Sequence, residues 1–194
     1  MKQIFLLFLS AVLVSCTNQK SQVSKITPQL SHLRHIISNT KSLDLPYKFD
    51  AINWDFSNSY VMDPSGLDSM FMSNVGHQVI FHFRDTSKFF VLLSGVAGDM
   101  LYPCITTYNK EGLLISREII GTCNCLTNPI VDVISCFDSV LINPDLTFNS
   151  FSELKATVQP YDSINTVFDS SSSEKLSGSI QQNGLITVNK EAIK

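Results

Sequence analysis

Hydrophobic and polar residues alternate along much of this chain with a period of two, the spacing of β-strands half buried in a sheet. The clearest case begins at residue 78, where the apolar residues Val79, Phe81 and Phe83 alternate with Gln78, Ile80, His82 and Arg84. Further strand-like runs cover 89–93, 105–108, 113–120, 130–137, 140–142, 154–159, 176–182 and 185–189. Turn residues separate them, and the pattern predicts a mainly β domain: an antiparallel meander or sandwich, or an open barrel.

Two of the predicted turns share one sequence pattern. Segments 108–115 and 180–186 both pass from an apolar residue through three polar residues to Gly-Leu, at Gly112 and Gly184. Glycine suits a turn position that requires positive φ, and Asn183-Gly184 between strand-like runs is a strong hairpin signal. The sequence therefore predicts that the same β-hairpin is used twice.

One helix is predicted before the strands. Thr27 is a good N-cap, and Pro28 suits the first helical position. The apolar residues that follow at helical spacing are Leu30, Leu33 and Ile37. We expect a short amphipathic helix over about 28–39, ended by Asn39.

The first sixteen residues show a different pattern. Lys2 precedes an apolar run from Ile4 to Val14, and the segment closes with Leu13-Val14-Ser15-Cys16. These are features of a secretory signal, and the run is too short to span a membrane as a mature helix. The ending resembles the lipobox of bacterial lipoproteins. That resemblance implies cleavage before Cys16, lipid on Cys16, and a mature protein anchored to a membrane by acyl chains.

The alternative is an ordinary signal peptide cut elsewhere, with Cys16 uninvolved. Under the lipobox interpretation, Thr17 rather than an aspartate after Cys16 favours the outer membrane over the inner one. Residues 17–22 carry no acidic run of the kind that routes some lipoproteins to the cell surface. We therefore expect a cell-envelope location on the outer membrane facing the periplasm, with the cell surface as the alternative.

The expected organisation has three parts: a signal peptide over 1–15, a lipid-anchored tether with the short helix over 16–43, and a β-rich domain over 44–194. Residues 76–190, with their aromatic-x-x-x-Gly-Leu hairpins, look similar to small β-rich lipoproteins of Gram-negative bacteria. That resemblance implies no particular activity.

The net charge changes sign at the boundary between the expected tether and the β-rich domain. Four basic and no acidic residues between Cys16 and Leu43 give +4, whereas nine basic and seventeen acidic residues from Asp44 to Lys194 give −8. A basic tether beside a lipid anchor can lie on anionic headgroups, although plain solubility explains the asymmetry equally well. The acidic domain lacks the basic surface of nucleic-acid-binding proteins, so the membrane is the expected partner and nucleic acid is not.

Four cysteines follow Cys16: Cys104, Cys123, Cys125 and Cys136. An even number in an exported protein indicates disulfides. Cys123 and Cys125 point to opposite faces of an extended chain, so a bond between them is disfavoured. We expect Cys104 to pair with one of them and Cys136 with the other. A thiolate metal site is the alternative, but the spacing lacks Cys-x2-Cys knuckles, and no metal or cofactor is assigned.

Aromatic residues crowd the segment before the regular hairpins. They are Tyr47, Phe49, Trp54, Phe56 and Tyr60. If exposed, Trp54 with Tyr47 and Tyr60 would form a platform for sugar rings or a peptide. If buried, they are an edge of the core, which is the interpretation favoured here.

The titratable residues are scattered. His32 and His35 are three apart on the predicted helix and can reach one ion, but a solvated pair is expected because that helix has no carboxylate. An envelope hydrolase would use Asp50, Asp55, Asp63 or Asp68 with a histidine, and two of these acids would have to face each other across a cleft. No catalytic residue is assigned from these patterns.

The sequence as a whole favours a membrane-anchored envelope lipoprotein with a non-catalytic binding or structural role. Besides the membrane, an envelope protein, a glycan or a lipid is the expected partner. The alternatives are a carbohydrate-binding module that uses the Trp54 region and a hydrolase that uses the acidic residues.

The lipobox predicts the effect of Cys16→Ala. The variant should remain a precursor that is neither acylated nor cleaved before residue 16, because the cysteine sulfur receives the lipid. Intact-mass measurement of membrane fractions checks this. Normal cleavage without acyl mass in the unsubstituted protein would contradict the prediction.

Overall fold

The computed structural model describes residues 27–50, 54–63, 67–71, 77–85, 87–97, 101–121, 131–158 and 168–193. In this part of the chain, helix α1 covers Pro28–Ser38 and a short 3-10 helix covers Leu67–Met70. The strands are β1 (Lys41–Leu43), β2 (Tyr47–Asp50), β3 (Tyr60–Val61), β4 (His77–Phe83), β5 (Phe90–Ala97), β6 (Leu101–Tyr108), β7 (Leu114–Ile119), β8 (Val131–Ile142), β9 (Thr147–Val158), β10 (Phe168–Ile180) and β11 (Ile186–Ile193).

The strands form two sheets. The first has the order β1-β4-β5-β6-β7, with β3 also paired to β4, and the second has the order β11-β10-β9-β8-β2. The predicted mainly β fold with one short helix is therefore confirmed, as two sheets rather than a closed barrel. One pairing departs from the antiparallel expectation, because β1 runs parallel to β4. These two strands are not neighbours in sequence, so no hairpin forces them to be antiparallel.

The central strands of the first sheet are buried on both faces, and β5 shows why. Val91 and Leu93 pack against the second sheet, where they meet residues such as Val140 and Ile142. Phe90 and Leu92 point to the opposite face and pack with α1. Alternate side chains of a strand lie on opposite faces, so this apolar run contributes to two separate cores.

Helix α1 begins and ends as predicted. The Thr27 hydroxyl oxygen accepts a hydrogen bond from the Leu30 N–H at 3.1 Å, and Asn39 caps the last turn. Leu33 and Ile36 are fully buried against the first sheet. The Thr27 hydroxyl also donates to the Glu111 carbonyl at 2.9 Å, so the start of the helix is attached to the β6–β7 turn.

Three hairpin turns have the same hydrogen-bond pattern. In the two predicted from sequence, Gly112 and Gly184 have φ angles of 84° and 86°. In both, the glycine N–H donates to the carbonyl three residues earlier, at 3.1 and 2.9 Å. The β8–β9 turn repeats this geometry, and there the left-handed residue is Leu146, with a φ of 65°. The structure thus confirms the repeated hairpin and adds a third copy in which leucine replaces glycine.

Gly178 on β10 gives a test of the close packing between neighbouring strands of the second sheet. A Cβ at this position would lie 2.2 Å from the Thr187 carbonyl oxygen and 2.3 Å from the Phe148 ring. We expect Gly178→Ala to lower the free energy of unfolding by about 2 kcal/mol, because buried overpacking is destabilising. Ser177→Ala, next to it on the other face of β10, should change stability by less than about 0.5 kcal/mol. Urea unfolding of both variants measures the difference, and equal stability would contradict the close packing.

Candidate functional site

A cleft lies at one end of the sandwich, between the two sheets. Four connections surround it: β1–β2, β4–β5, β8–β9 and β10–β11. Its volume is about 490 Å³ and it opens to solvent. Its floor is apolar and is formed by core residues of both sheets, namely Leu43, Phe83, Phe89, Val91 and Ile180. This end cleft has the size and the apolar lining of small-molecule sites.

The rim of the end cleft is charged. The Arg84 guanidinium and the Asp44 carboxylate form an exposed ion pair at 2.8 Å. Asp85 accepts a hydrogen bond from the Ser87 N–H at 2.8 Å, and bonds from that backbone N–H and the Ser87 side chain hold the pKa of Asp85 below its usual range. Lys88 lies beside Ser87 on the same rim. A ligand in this cleft would therefore meet apolar side chains inside and charges at the mouth.

A third acid, Asp145, completes the rim. It accepts hydrogen bonds from the Thr147 hydroxyl at 2.7 Å and the Thr147 N–H at 3.1 Å, which lower the pKa of Asp145. Hydrogen bonds therefore favour the ionised form of Asp85 and Asp145, and each of the three rim carboxylates already has a donor from the protein.

Leu146 forms part of the cleft wall and is the strained residue of the site. Its positive φ is unfavourable for a side chain with a Cβ, at a cost of roughly 1–2 kcal/mol. Its side chain packs against the inter-sheet core, and its carbonyl accepts the Ile180 N–H at 3.0 Å. The turn at Asn143-Pro144-Asp145 was predictable from sequence, but the left-handed leucine after it was not. The resemblance of this turn to the two glycine hairpins is visible only in the backbone geometry.

The aromatic residues considered as a binding platform lie in two separate places. Phe49 contacts both Tyr47 and Trp54 beside the inter-sheet core, with the Trp54 ring centroid 4.3 Å from that of Phe49. Trp54 is half-buried, and its Nε1 is buried without a hydrogen-bond partner among the described residues. Tyr60 instead packs against the apolar cluster that the buried residues of α1 form with the first sheet. Trp54, Tyr47 and Tyr60 therefore do not share one surface, and a binding role for any of them stays a prediction.

The acids considered for hydrolysis are also divided. Asp68 is buried against α1, where its carboxylate contacts His32 Nε2 and accepts the Asp63 N–H at 2.8 Å. The Tyr60 hydroxyl lies 3.3 Å from both Asp68 oxygens. Asp55 lies near Tyr47, in the other aromatic group.

The contacts of Asp68 change the interpretation of the helix histidines. The carboxylate that α1 lacks in sequence is supplied by the 3-10 helix, and His35 stacks on His32 with ring centroids 6.0 Å apart. A histidine oriented by a buried carboxylate is one half of a nucleophile-activating arrangement. Among the described residues, no hydroxyl or thiol is hydrogen-bonded to His32. We interpret these contacts as the attachment of α1 to segment 67–71.

The expected disulfide from Cys104 is wrong in this structure. Cys104 is a buried free thiol on the face of the first sheet that carries Thr106 and Tyr108, the side toward α1. Cys136 lies four residues before Val140 on β8, on the same face of the strand, and so faces the inter-sheet core. It is disulfide-bonded to a partner outside the described residues, and Cys16, Cys123 and Cys125 also lie outside them. Sequence spacing could not show that Cys104 and Cys136 lie on different faces of different sheets.

Burial raises the pKa of Cys104 to about 11. The thiol lies 3.9 Å from the Thr106 hydroxyl oxygen and is only 1% exposed. A protonated, enclosed thiol is a poor nucleophile and a poor metal ligand. Within the described part of the chain, no group of three or more His, Cys, Asp or Glu side chains is placed to hold a metal ion.

No family model, curated protein or solved structure matches this chain. The described residues include no helix long and apolar enough to cross a membrane. The end cleft, with its apolar floor and charged rim, is the candidate functional site of the described residues.

The environment of Cys104 predicts its reactivity. Iodoacetamide at pH 8 should leave Cys104 unmodified in the folded protein and alkylate it after unfolding, because the thiolate is about a hundredfold scarcer than at an ordinary cysteine. Peptide mass mapping of the segment that contains Cys104 measures this. Recovery of that peptide in a disulfide would contradict the structure.

Proposed function

We propose that this protein is a lipoprotein of the bacterial cell envelope that binds a small apolar ligand in the end cleft and does not transform it. The observation that carries the binding role is the 490 Å³ cleft with an apolar floor. Pockets of roughly 300–1,000 Å³ that are mostly apolar, with a few polar groups at defined positions, are the usual sites for small ligands.

The groups around the cleft support binding rather than hydrolysis. Its described lining contains neither histidine nor cysteine. A glycosidase needs one carboxyl group that stays protonated as a general acid. Hydrogen bonds lower the pKa of both Asp85 and Asp145, so each of these carboxylates is held in its ionised form.

The proposed anchor is Cys16, acylated as the lipobox implies. The eleven residues from Cys16 to Ile26, which precede the N-cap Thr27, can span at most about 40 Å when fully extended. Four basic residues lie between Cys16 and Leu43, and each would favour an anionic membrane surface by roughly 1 kcal/mol. The acidic β domain would be repelled from the same surface, which leaves its cleft accessible from the aqueous side.

Ser87→Trp tests the binding function. Ser87 is an exposed residue of the rim, and an indole there should cover the mouth. Lipidated protein in nanodiscs is labelled with a diazirine derivative of decanol, and peptide mapping locates the label. We expect label on the peptides of Phe89 and Leu146, and about tenfold less in Ser87→Trp, a loss of about 1.4 kcal/mol of binding.

Ser57→Trp is the matched control. Ser57 is also exposed, and its N–H also donates to an aspartate two residues earlier, Asp55 at 2.9 Å, as the Ser87 N–H does to Asp85. It does not line the end cleft. Labelling of the cleft peptides should be unchanged in this variant. Equal labelling in both tryptophan variants, or no label in the cleft at all, would reject the proposed function.

A further inference from the structure

We propose that the ligand of the end cleft is a single-chain amphiphile with an anionic head, whose alkyl chain lies on the apolar floor and whose head lies beside Lys88. This inference rests on the proposed binding function of the same cleft and names the chemical class of the ligand. Its basis is the way apolar and charged groups are distributed from the floor to the mouth.

The floor of the end cleft determines which part of the ligand can enter it. Phe83, Val91 and Ile180 belong to the inter-sheet core and are nearly inaccessible, so any group that reaches them leaves water. Burial of apolar surface is favourable, whereas a polar group without a partner is penalised there. The part of the ligand that enters the cleft must therefore be apolar, and its polar group must remain at the mouth.

The state of the rim carboxylates argues against a cationic head. Asp44 is paired with the Arg84 guanidinium at 2.8 Å. Asp85 and Asp145 accept hydrogen bonds that shape their own turns, from Ser87 and Thr147. A cationic head would have to share these carboxylates with donors of the protein, next to two basic side chains.

Lys88 is in the opposite situation. Its ammonium group forms no direct ion pair within 4 Å in the described part of the chain, although it lines the rim and its positive charge helps to lower the pKa of Asp85 from a longer distance. An ammonium group offers three donors and no acceptor. An anionic head beside Lys88 gains a charge-assisted hydrogen bond and displaces none of the bonds within the rim.

Leu146 adds an independent indication that the cleft wall has a function. Glycine occupies the left-handed position of the two equivalent turns, where it is unstrained. Leu146 occupies the equivalent position of the third turn, where its positive φ is unfavourable. Its apolar side chain forms part of the cleft wall. Residues held in unfavourable backbone conformations are concentrated at ligand sites.

The test compares three small-molecule competitors that have the same ten-carbon chain and different head groups. Decanoate, decanol and decylamine compete with the diazirine derivative of decanol for the cleft of lipidated protein, in nanodiscs of zwitterionic lipid and below their aggregation concentrations. Label on the cleft peptides is the readout. Decanoate should compete best, by about fivefold over decanol, the upper range for one exposed ion pair.

Lys88→Gln should abolish the preference for decanoate over decanol while leaving competition by decanol unchanged. Lys175→Gln, an exposed lysine on the far face of β10, is the matched control and should keep the preference. Both variants replace exposed side chains, and their melting temperatures show that they are folded.

The outcomes separate the two proposals. Equal competition by decanoate and decanol, strongest competition by decylamine, or a preference that survives Lys88→Gln would overturn the anionic head and leave apolar binding in place. Absence of competition by all three compounds, together with no label in the cleft, would reject the binding function and this inference together.

Discussion

The first sheet is covered on both faces, and the rest of the structure depends on that burial. β5 is apolar at consecutive positions, so one side of the strand requires a second sheet and the other requires α1. Each buried apolar side chain contributes roughly 1.5–3 kcal/mol relative to its exposed state, so neither face can be left open. The helix is consequently part of the folded domain, held by Leu33 and Ile36, rather than only a segment of the tether.

Polar contacts hold α1 and segment 67–71 in a defined position over the first sheet. Asp68 is buried where α1, β3 and the 3-10 helix meet, and it is stabilised by His32, Tyr60 and the Asp63 N–H. The Arg117 guanidinium donates to the Phe71 carbonyl and so attaches the same segment to β7. A buried carboxylate needs such partners, because its desolvation is otherwise strongly unfavourable. These contacts give the helix a defined position over the sheet, which apolar packing alone does not specify.

The end cleft is a consequence of how the sandwich closes. The cleft lies between the two sheets at the end where the chain passes through four connections, and core side chains line its floor there. Charged residues are tolerated on this rim because it reaches water. Two of these connections, β8–β9 and β10–β11, have the hairpin geometry that recurs three times in the fold, and in the β8–β9 turn the left-handed residue Leu146 also contributes its side chain to the cleft wall. The site is therefore built from ordinary elements of the fold, with one strained position.

The sequence by itself determined the local elements. The cap at Thr27, the apolar spacing of α1, the period of two in the strands and the glycine turns all depend on residues close together in the chain, so their physical causes are visible there. Tertiary structure alone decided which faces meet. It placed Cys104 and Cys136 on separate faces, brought Asp68 to His32, separated Tyr60 from Trp54, and assembled the cleft from β1, β4, β8 and β10. These outcomes depend on sheet order and on the side of each sheet that is buried. Such long-range choices are governed by the packing of two whole sheets, which no local spacing of residues encodes.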